Sequence, residues 1–283
     1  AQSLSLSPNQ LDVARELGDL YERTDNYESA VESLQKVVAL TEDQDETSDT
    51  YHRIGRIYEE DLLNDDRAEK AYLNALEIQP TREDTIDRMR GLYERTMDWQ
   101  GLIGVLKRAE DTSRDLELKA KLLAEIGRTY DDEMDDRVSA LNYYEQALET
   151  DPHVIEAAEP LIDVYMHEQR WERAVPLLEM VLEQYDEINA DPDRVQTREL
   201  QSARVYDELA QNDQALEHYK HAYEIDPTDL DTLRGFGNLL YEQEEYERAS
   251  SVYENLEYQH LDKLEQDEMV EVYYRSGVIR QRF

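Results

Sequence analysis

A repeat 72 residues long constrains the fold of this chain more than any other feature. The stretch LYERT at residues 20–24 returns at 92–96, which is 92 − 20 = 72 residues later. IGRIY at 54–58 and IGRTY at 126–130 have the same separation. Half of this distance, about 35 residues, separates successive anchor tyrosines, which indicates an array of small repeated units. These tyrosines are Tyr21, Tyr58, Tyr93, Tyr130, Tyr165 and Tyr206.

Each unit has the pattern of two helices joined by a short turn. In residues 11–40, apolar side chains recur at helical spacing on both sides of the turn sequence TDN. Small residues such as Gly18 and Ala30 stand where two helices must approach closely, and Tyr21 and Leu34 fill the space beside them. A short connection between two such helices predicts an antiparallel hairpin.

This pattern resembles the tetratricopeptide repeat. The second unit carries its residues at Gly55, Tyr58, Ala68, Tyr72, Ala75 and Pro80, and the fourth at Gly127, Tyr130, Ala140, Tyr144, Ala147 and Pro152. The resemblance implies an all-α fold, a superhelical solenoid of about seven and a half helix-turn-helix repeats. We expect a single array over 1–283, with repeats at 8–44, 45–80, 81–114, 115–152, 153–192, 193–227 and 228–262 and a partial or capping unit at 263–283.

Several boundaries of the units are marked by capping residues and turns. Ser7, Thr81 and Thr228 are predicted helix caps beside prolines. The longest connection, residues 183–196, is predicted to be an extended helix end followed by a loop around NADPD. In the partial eighth unit, the apolar residues Val278, Ile279 and Phe283 are expected to need cover.

The charge of the chain limits its partners. With 68 acidic and 30 basic residues, the formal net charge is −38. The phosphates of nucleic acid and of anionic membranes would be repelled, so neither is expected as a partner. No apolar run approaches the 18 residues that a membrane span needs. The acidity is typical either of adaptation to high salt or of a requirement for solubility only. The compartment stays open between cytoplasm and periplasm.

Chemically active motifs are weak in this sequence. His218 and His221 stand at i and i+3 on one predicted helix, but no third metal ligand is evident, so we expect no metal site and no cofactor. The acidic clusters at 42–46 and 131–136 lack the ligand spacing of a calcium loop and are interpreted as solvated turns. No nucleophile has an evident general base, so no enzymatic activity is expected.

The family resemblance implies that the first helices of the units line a concave groove. Arg56, Arg128 and Arg204 recur there in every even-numbered unit. One interpretation pairs these arginines with acids on the neighbouring first helix, Arg56 with Asp19 for example and Arg204 with Asp163. The other presents their guanidinium groups to a partner's carboxylates or carbonyls.

A candidate binding corner lies near the C-terminal end of the array. Arg234 and Asn238 resemble the Lys and Asn with which some family members hold a peptide carboxylate, and Tyr241, Tyr274 and Arg275 stand nearby in register. The predicted function is a non-catalytic scaffold that binds a peptide segment of a partner protein. The alternative is a structural or oligomerisation module, which leaves a homo-oligomer open.

Overall fold

A computed structural model describes residues 8–282 of the chain. These residues form fifteen α-helices and contain no β-strand, which confirms the predicted all-α helical-repeat fold. The chain divides into two compact units, Ala1–Val154 and Ile155–Phe283. The expected single array and its repeat boundaries stay a prediction.

The first unit consists of four antiparallel helix pairs, in which odd-numbered helices come first and even-numbered helices second. Each helix packs on the next helix in the chain, from α1 through α8. The helices are α1 Pro8–Arg23, α2 Tyr27–Leu40, α3 Gln44–Arg56, α4 Asp65–Ile78, α5 Glu83–Thr96, α6 Trp99–Thr112, α7 Leu116–Arg128 and α8 Arg137–Thr150.

The second unit continues the pattern with three pairs and one further first helix. The predicted long connection is confirmed, since the second helix extends to Ile188 and the next begins at Pro192 after a short loop. The helices are α9 Ile155–His167, α10 Trp171–Ile188, α11 Pro192–Glu208, α12 Asn212–Ile225, α13 Leu230–Glu242, α14 Tyr246–His260 and α15 Gln266–Arg282.

Small residues bring the two helices of a pair into contact, as the sequence predicts. Ala68 and Ala140 are fully buried. A Cβ atom added to Gly127 would lie 2.8 Å from the ring of Tyr144, and one added to Gly55 would lie 2.4 Å from the ring of Tyr72. Each glycine therefore leaves the space that a buried tyrosine of the second helix fills.

Two first helices end in a π-helical turn, at Ile57–Asp61 and Thr129–Glu133. The cause is visible in the sequence. From Tyr21 to Ala30 there are 30 − 21 = 9 residues, but from Tyr58 to Ala68 there are 68 − 58 = 10. The fourth repeat has the same extra residue before Ala140. A π turn takes up one inserted residue without breaking the helix, so both helices end in register with their neighbours.

Every hairpin turn places one residue other than glycine in the left-handed region. Leu63 and Ala210, for example, have φ values of 49° and 55°. The N–H of the residue after this position bonds back to the last turn of the first helix, as from Gln211 to the carbonyl of Tyr206. These bonds satisfy carbonyl groups that the helix end leaves free. The full set is Asp25, Leu63, Met97, Asp135, Gln169, Ala210 and Glu244.

Acidic residues at the turns cap helices. Asp43 and Asp136, from the two acidic clusters, accept backbone N–H bonds at the starts of α3 and α8. The predicted caps at Thr81 and Thr228 are wrong, because α5 and α13 begin later, after Arg82 and Asp229. The carboxylate of Asp229 takes the capping role as a charged acceptor. The predicted cap at Ser7 lies outside the described residues.

The last helix is covered differently from the prediction. Ile279 is buried in the core of the second unit rather than left open, because this side of α15 packs on α14. Phe283 lies outside the described residues. The exposed apolar side chains of α15 are instead Val270, Tyr273 and Tyr274.

Candidate functional site

The candidate site is the exposed side of the first helices, called here the first-helix face. In the first unit, Arg56 was predicted to pair with Asp19. The structure gives Asp19 to Arg53, at 2.7 Å, and Arg56 reaches Glu22 at 3.5 Å. Arg53 also bonds to Glu22, and this hydrogen bond raises the pKa of Arg53. Arg56 is thus paired with an acidic residue, as expected, but this residue lies one helical turn away from the predicted partner Asp19.

The same shift occurs in the second unit. Asp163, the predicted partner of Arg204, pairs with Arg198 at 2.7 Å. Arg204 turns to the following first helix instead and pairs with Asp231 at 2.7 Å. Its guanidinium is about half exposed, so the pair contributes little to stability. It nevertheless occupies one of the guanidinium nitrogens that a ligand would need.

Arg53, Arg90 and Arg198 were not among the predicted site residues, although the sequence carries a signal for them. Arg90 pairs with Glu125 through two hydrogen bonds, the longer of 2.8 Å. The partners lie about one repeat apart, since 125 − 90 = 35 and 198 − 163 = 35. An arginine and an acidic residue at this separation on first helices therefore predict a contact between neighbouring repeats.

The structure brings together most of the predicted C-terminal corner. Arg275 donates to the side-chain oxygen of Asn238 at 2.8 Å and stacks over the ring of Tyr241, 4.9 Å from its centroid. It also pairs with Glu271 at 2.6 Å. Tyr274, the residue before Arg275 on the same helix, is exposed. Arg275 thus joins α13 to α15, and its Nε and Nη1 atoms already donate hydrogen bonds.

Arg234 is also occupied. It pairs with Glu268 of α15 at 2.7 Å, and Asp231 lies 3.7 Å away. A peptide carboxylate at Arg234 would have to replace Glu268. Exchanging one carboxylate for another yields little net free energy, so this position is a poor anchor.

Arg128 differs from the other predicted arginines. It is exposed and makes no ion pair with any residue between 8 and 282 for which side chains are described. It borders a cleft of about 270 Å³ where α5 and α7 end and α6 begins. The cleft is lined by Glu94, Trp99, Leu102, Glu125, Arg128, Thr129, Asp132 and Glu133.

The 72-residue repeat places an equivalent pair earlier in the first unit. Arg56 and Glu22 there correspond to Arg128 and Glu94, because 128 − 56 = 72 and 94 − 22 = 72. The earlier pair is in contact at 3.5 Å. The later pair borders the cleft without closing it. Within the first unit, the cleft beside Arg128 is therefore the open member of two related positions.

None of the described helices is long and apolar enough to cross a membrane.

Comparisons with known proteins identify the repeats. Two sequence models described as tetratricopeptide repeat match the chain, one at residues 154–228 and the other at 16–44 and 48–82. No curated protein matches the sequence. Proteins of the matched family generally mediate contacts between proteins.

Solved structures of repeat proteins resemble the fold only distantly. A structure from work on Pseudomonas aeruginosa pilF has a TM-score of 0.44 and 15% identity, over 80% of this chain and 96% of that one. YrrB, described as a TPR protein with an unusual peptide-binding site, has a TM-score of 0.44 and 18% identity, over 72% and 98%. The TPR2AB domain of yeast Sti1, in complex with an HSP90 peptide, has a TM-score of 0.36 and 16% identity, over 81% and 98%.

At these scores, the likeness carries no argument about what this chain binds. The matched repeats at 16–44, 48–82 and 154–228 and the fifteen-helix fold do show its family. The chain is a tetratricopeptide repeat protein.

Proposed function

We propose that this chain is a non-catalytic scaffold that binds a peptide segment of a partner protein along its first-helix face. The observation that carries the proposal is the open cleft beside Arg128. Arg56, Arg204, Arg234 and Arg275 all have acidic partners within the chain. Arg128 has its donors available without the loss of an existing pair.

The charges of the cleft select a class of peptide. Glu94, Asp132 and Glu133 border it together with one guanidinium. The surroundings of the cleft are therefore mainly negative, as is the whole chain. A lysine or arginine of the peptide is attracted to the carboxylates, and one carbonyl or carboxylate of the peptide accepts from Arg128. The proposed ligand is a basic segment with one acceptor placed for Arg128.

Trp99 gives the cleft an apolar wall. Its side chain is half-buried at the start of α6 and packs against the core of the first unit. An indole held in this way offers a rigid surface to the aliphatic part of a lysine or arginine, with a cation–π contribution at its face. This arrangement favours long basic side chains over short ones.

A peptide library tests the proposal. The purified chain would be presented with ten-residue random peptides, and the bound peptides sequenced. We expect enrichment of peptides that combine two or more basic residues with one carboxylate, and loss of the preference for the carboxylate with Arg128→Ala. Arg114→Ala, which removes a charge from the loop before α7, is the control and should keep the enrichment. If no peptide is enriched, or the variants select the same peptides, the proposal fails.

One observation favours the alternative function, a module for self-association. Val270, Tyr273 and Tyr274 of α15 are more than half exposed, as is Tyr258 of α14. Mass measurement in solution over a range of concentrations separates the two functions. A constant monomer mass excludes self-association, whereas a dimer that Tyr273→Ser together with Tyr274→Ser converts to monomer supports it.

A further inference from the structure

Three potential metal ligands meet between α11 and α12. Nδ1 of His218 lies 2.6 Å from one carboxylate oxygen of Glu199, and Nδ1 of His221 lies 3.3 Å from the other. One ligand atom from each of the three residues can be chosen so that all lie within 4.8 Å of one another. The sequence offered only the two histidines, and the third ligand comes from the preceding helix.

The packing of α11 against α12 brings these three side chains together. Ala203 and Ala215 are fully buried and let the two helices approach closely. Glu199 lies one turn before Ala203, and His218 lies one turn after Ala215 on the antiparallel helix, so they stand level. His221 follows His218 by three residues and shares its face. The backbone therefore holds the three side chains together with or without an ion.

A neighbouring ring orients one ligand. Tyr206 stacks on His218 with centroids 5.3 Å apart and an angle of 8° between the planes. The hydroxyl of Tyr206 donates to Glu179 on α10. The imidazole of His218 is thereby held with one nitrogen directed at Glu199, which lowers the entropy that ion binding would cost.

We propose that Glu199, His218 and His221 bind a divalent transition-metal ion of the zinc type. Two imidazoles and one carboxylate are a ligand set that zinc uses with a fourth position left open. A tetrahedral ion with bonds of about 2.0–2.2 Å holds its ligand atoms about 3.3 Å apart. The distances of 2.6 and 3.3 Å and the limit of 4.8 Å bracket this value, so side-chain rotations suffice to seat the ion.

Burial and ligand type make the site selective. The Glu199 side chain is 11% exposed and that of His218 19%, whereas that of His221 is 43% exposed. The ion would enter from the side of His221 and keep its fourth position toward water. Magnesium and calcium prefer oxygen ligands only, so the two imidazoles discriminate against them. This separates the site from the many exposed carboxylates of the chain.

Calorimetric titration of the whole chain with Zn²⁺ tests the proposal, in a buffer with excess Mg²⁺ to occupy sites made of carboxylates alone. We expect one Zn²⁺ per chain. Glu199→Gln keeps the size of the side chain but removes its charge, and should weaken binding at least about 10-fold, as should His221→Ala. His167→Ala, at the exposed end of α9, is the control and should bind as the parent does.

Thermal melting supplies a second readout. Zn²⁺ should raise the melting temperature of the parent, because an ion that binds only the folded state stabilises it. The rise should be lost in Glu199→Gln and in His221→Ala, whose half-exposed side chain can be removed without loss of the fold. If the parent does not bind Zn²⁺ beside Mg²⁺, or if both variants bind it as tightly as the parent, the proposal is overturned.

Discussion

At the scale of single residues, glycines have opposite effects according to what stands beside them. A Cβ atom at Gly127 would meet the ring of Tyr144 at 2.8 Å and the carbonyl of Ala140 at 3.2 Å. At Gly104, in the middle of α6, it would meet nothing within 4 Å. Tyr144 is almost fully buried, where side chains are closely packed.

Gly127→Ala should therefore lower the free energy of unfolding by roughly 1–3 kcal/mol, the usual cost of overpacking. Gly104→Ala is the matched control and should raise it by about 0.5–1 kcal/mol through helix propensity. Urea denaturation of both variants measures the difference. Equal changes in the two variants would show that the contact with Tyr144 is unimportant.

Glu46 was interpreted as part of a solvated turn, but it is half-buried. It bonds to Arg15 at 2.6 and 2.7 Å and accepts from the hydroxyl of Thr41 at 2.5 Å. The hydrogen bonds from Arg15 lower the pKa of Glu46. A lowered pKa means that the stabilisation is present above the unfolded-state pKa, about 4.3, and is lost as the pH falls through the lower folded-state value.

Glu46→Gln should accordingly melt at a lower temperature than the parent at pH 7, and the gap should close in acid below the folded-state pKa. Glu42→Gln is the control, because Glu42 is exposed and forms no ion pair within the described part of the chain. Melting curves from pH 7 to pH 3 provide the comparison. A gap that stays constant over this range would show that the Arg15 pair does not stabilise the fold.

At the residue scale, the contacts that could be predicted from the sequence are those between residues of the repeat pattern. Gly127, Ala140 and Tyr144 follow from helical spacing, and the structure has them in contact. The ion-pair partners of Arg56 and Arg204 could not be predicted, because acidic residues are abundant and a shift of one helical turn changes which of them the arginine contacts. Glu199 was missed because its meeting with His218 depends on the register between two helices.

At the scale of elements, the turn between the two helices of a pair carries backbone strain. Leu63 has φ of 49° and its side chain is 81% exposed, so it neither fits the left-handed region nor contributes to the core. Left-handed backbone costs a residue with a Cβ about 1–2 kcal/mol, a penalty that glycine avoids. Every hairpin turn in residues 8–282 accepts this strain because the two helices hold it in place.

Leu63→Gly should raise the free energy of unfolding by about 0.5–1 kcal/mol, since relief of strain exceeds the added entropy of the unfolded chain. Val138 is equally exposed, at 81%, but stands in the first turn of α8. Val138→Gly is thus the matched control and should lower stability by roughly 0.5 kcal/mol. Denaturation with urea gives both values, and a destabilised Leu63→Gly would contradict the assignment of strain.

The number of helices and the position of the long connection at 183–196 were predictable, because periodicity and prolines mark them. The π turns at Ile57–Asp61 and Thr129–Glu133 were not predicted, although the extra residue is visible in the sequence. An inserted residue fits equally well into a longer loop, and only packing decides between the two.

At the scale of the whole molecule, net charge opposes folding. A charge of −38 repels itself in the compact state, while surface ion pairs stabilise it by about 0–1 kcal/mol each. Salt screens both effects, but repulsion among many unpaired acids extends over longer distances than contacts between paired groups. Salt should therefore weaken the destabilising repulsion by more than it weakens the stabilisation by ion pairs.

The melting temperature should rise between low salt and molar sodium chloride. Chloride is chosen because sulfate also strengthens the burial of apolar groups. Scanning calorimetry at several salt concentrations gives the result. An unchanged or lower melting temperature in molar salt would show that ion pairs such as Arg53–Asp19 outweigh the repulsion.

Binding of a basic peptide at the cleft beside Arg128 is the central claim, and calorimetry with a peptide selected by the parent chain tests it most directly. Arg128→Ala should weaken binding by roughly 1.5–3 kcal/mol, the usual contribution of a hydrogen bond to a charged group. Arg234→Ala should have a smaller effect, because Glu268 already occupies that guanidinium. If Arg128→Ala binds the peptide as tightly as the parent, or if Arg234→Ala weakens binding more, the account is contradicted.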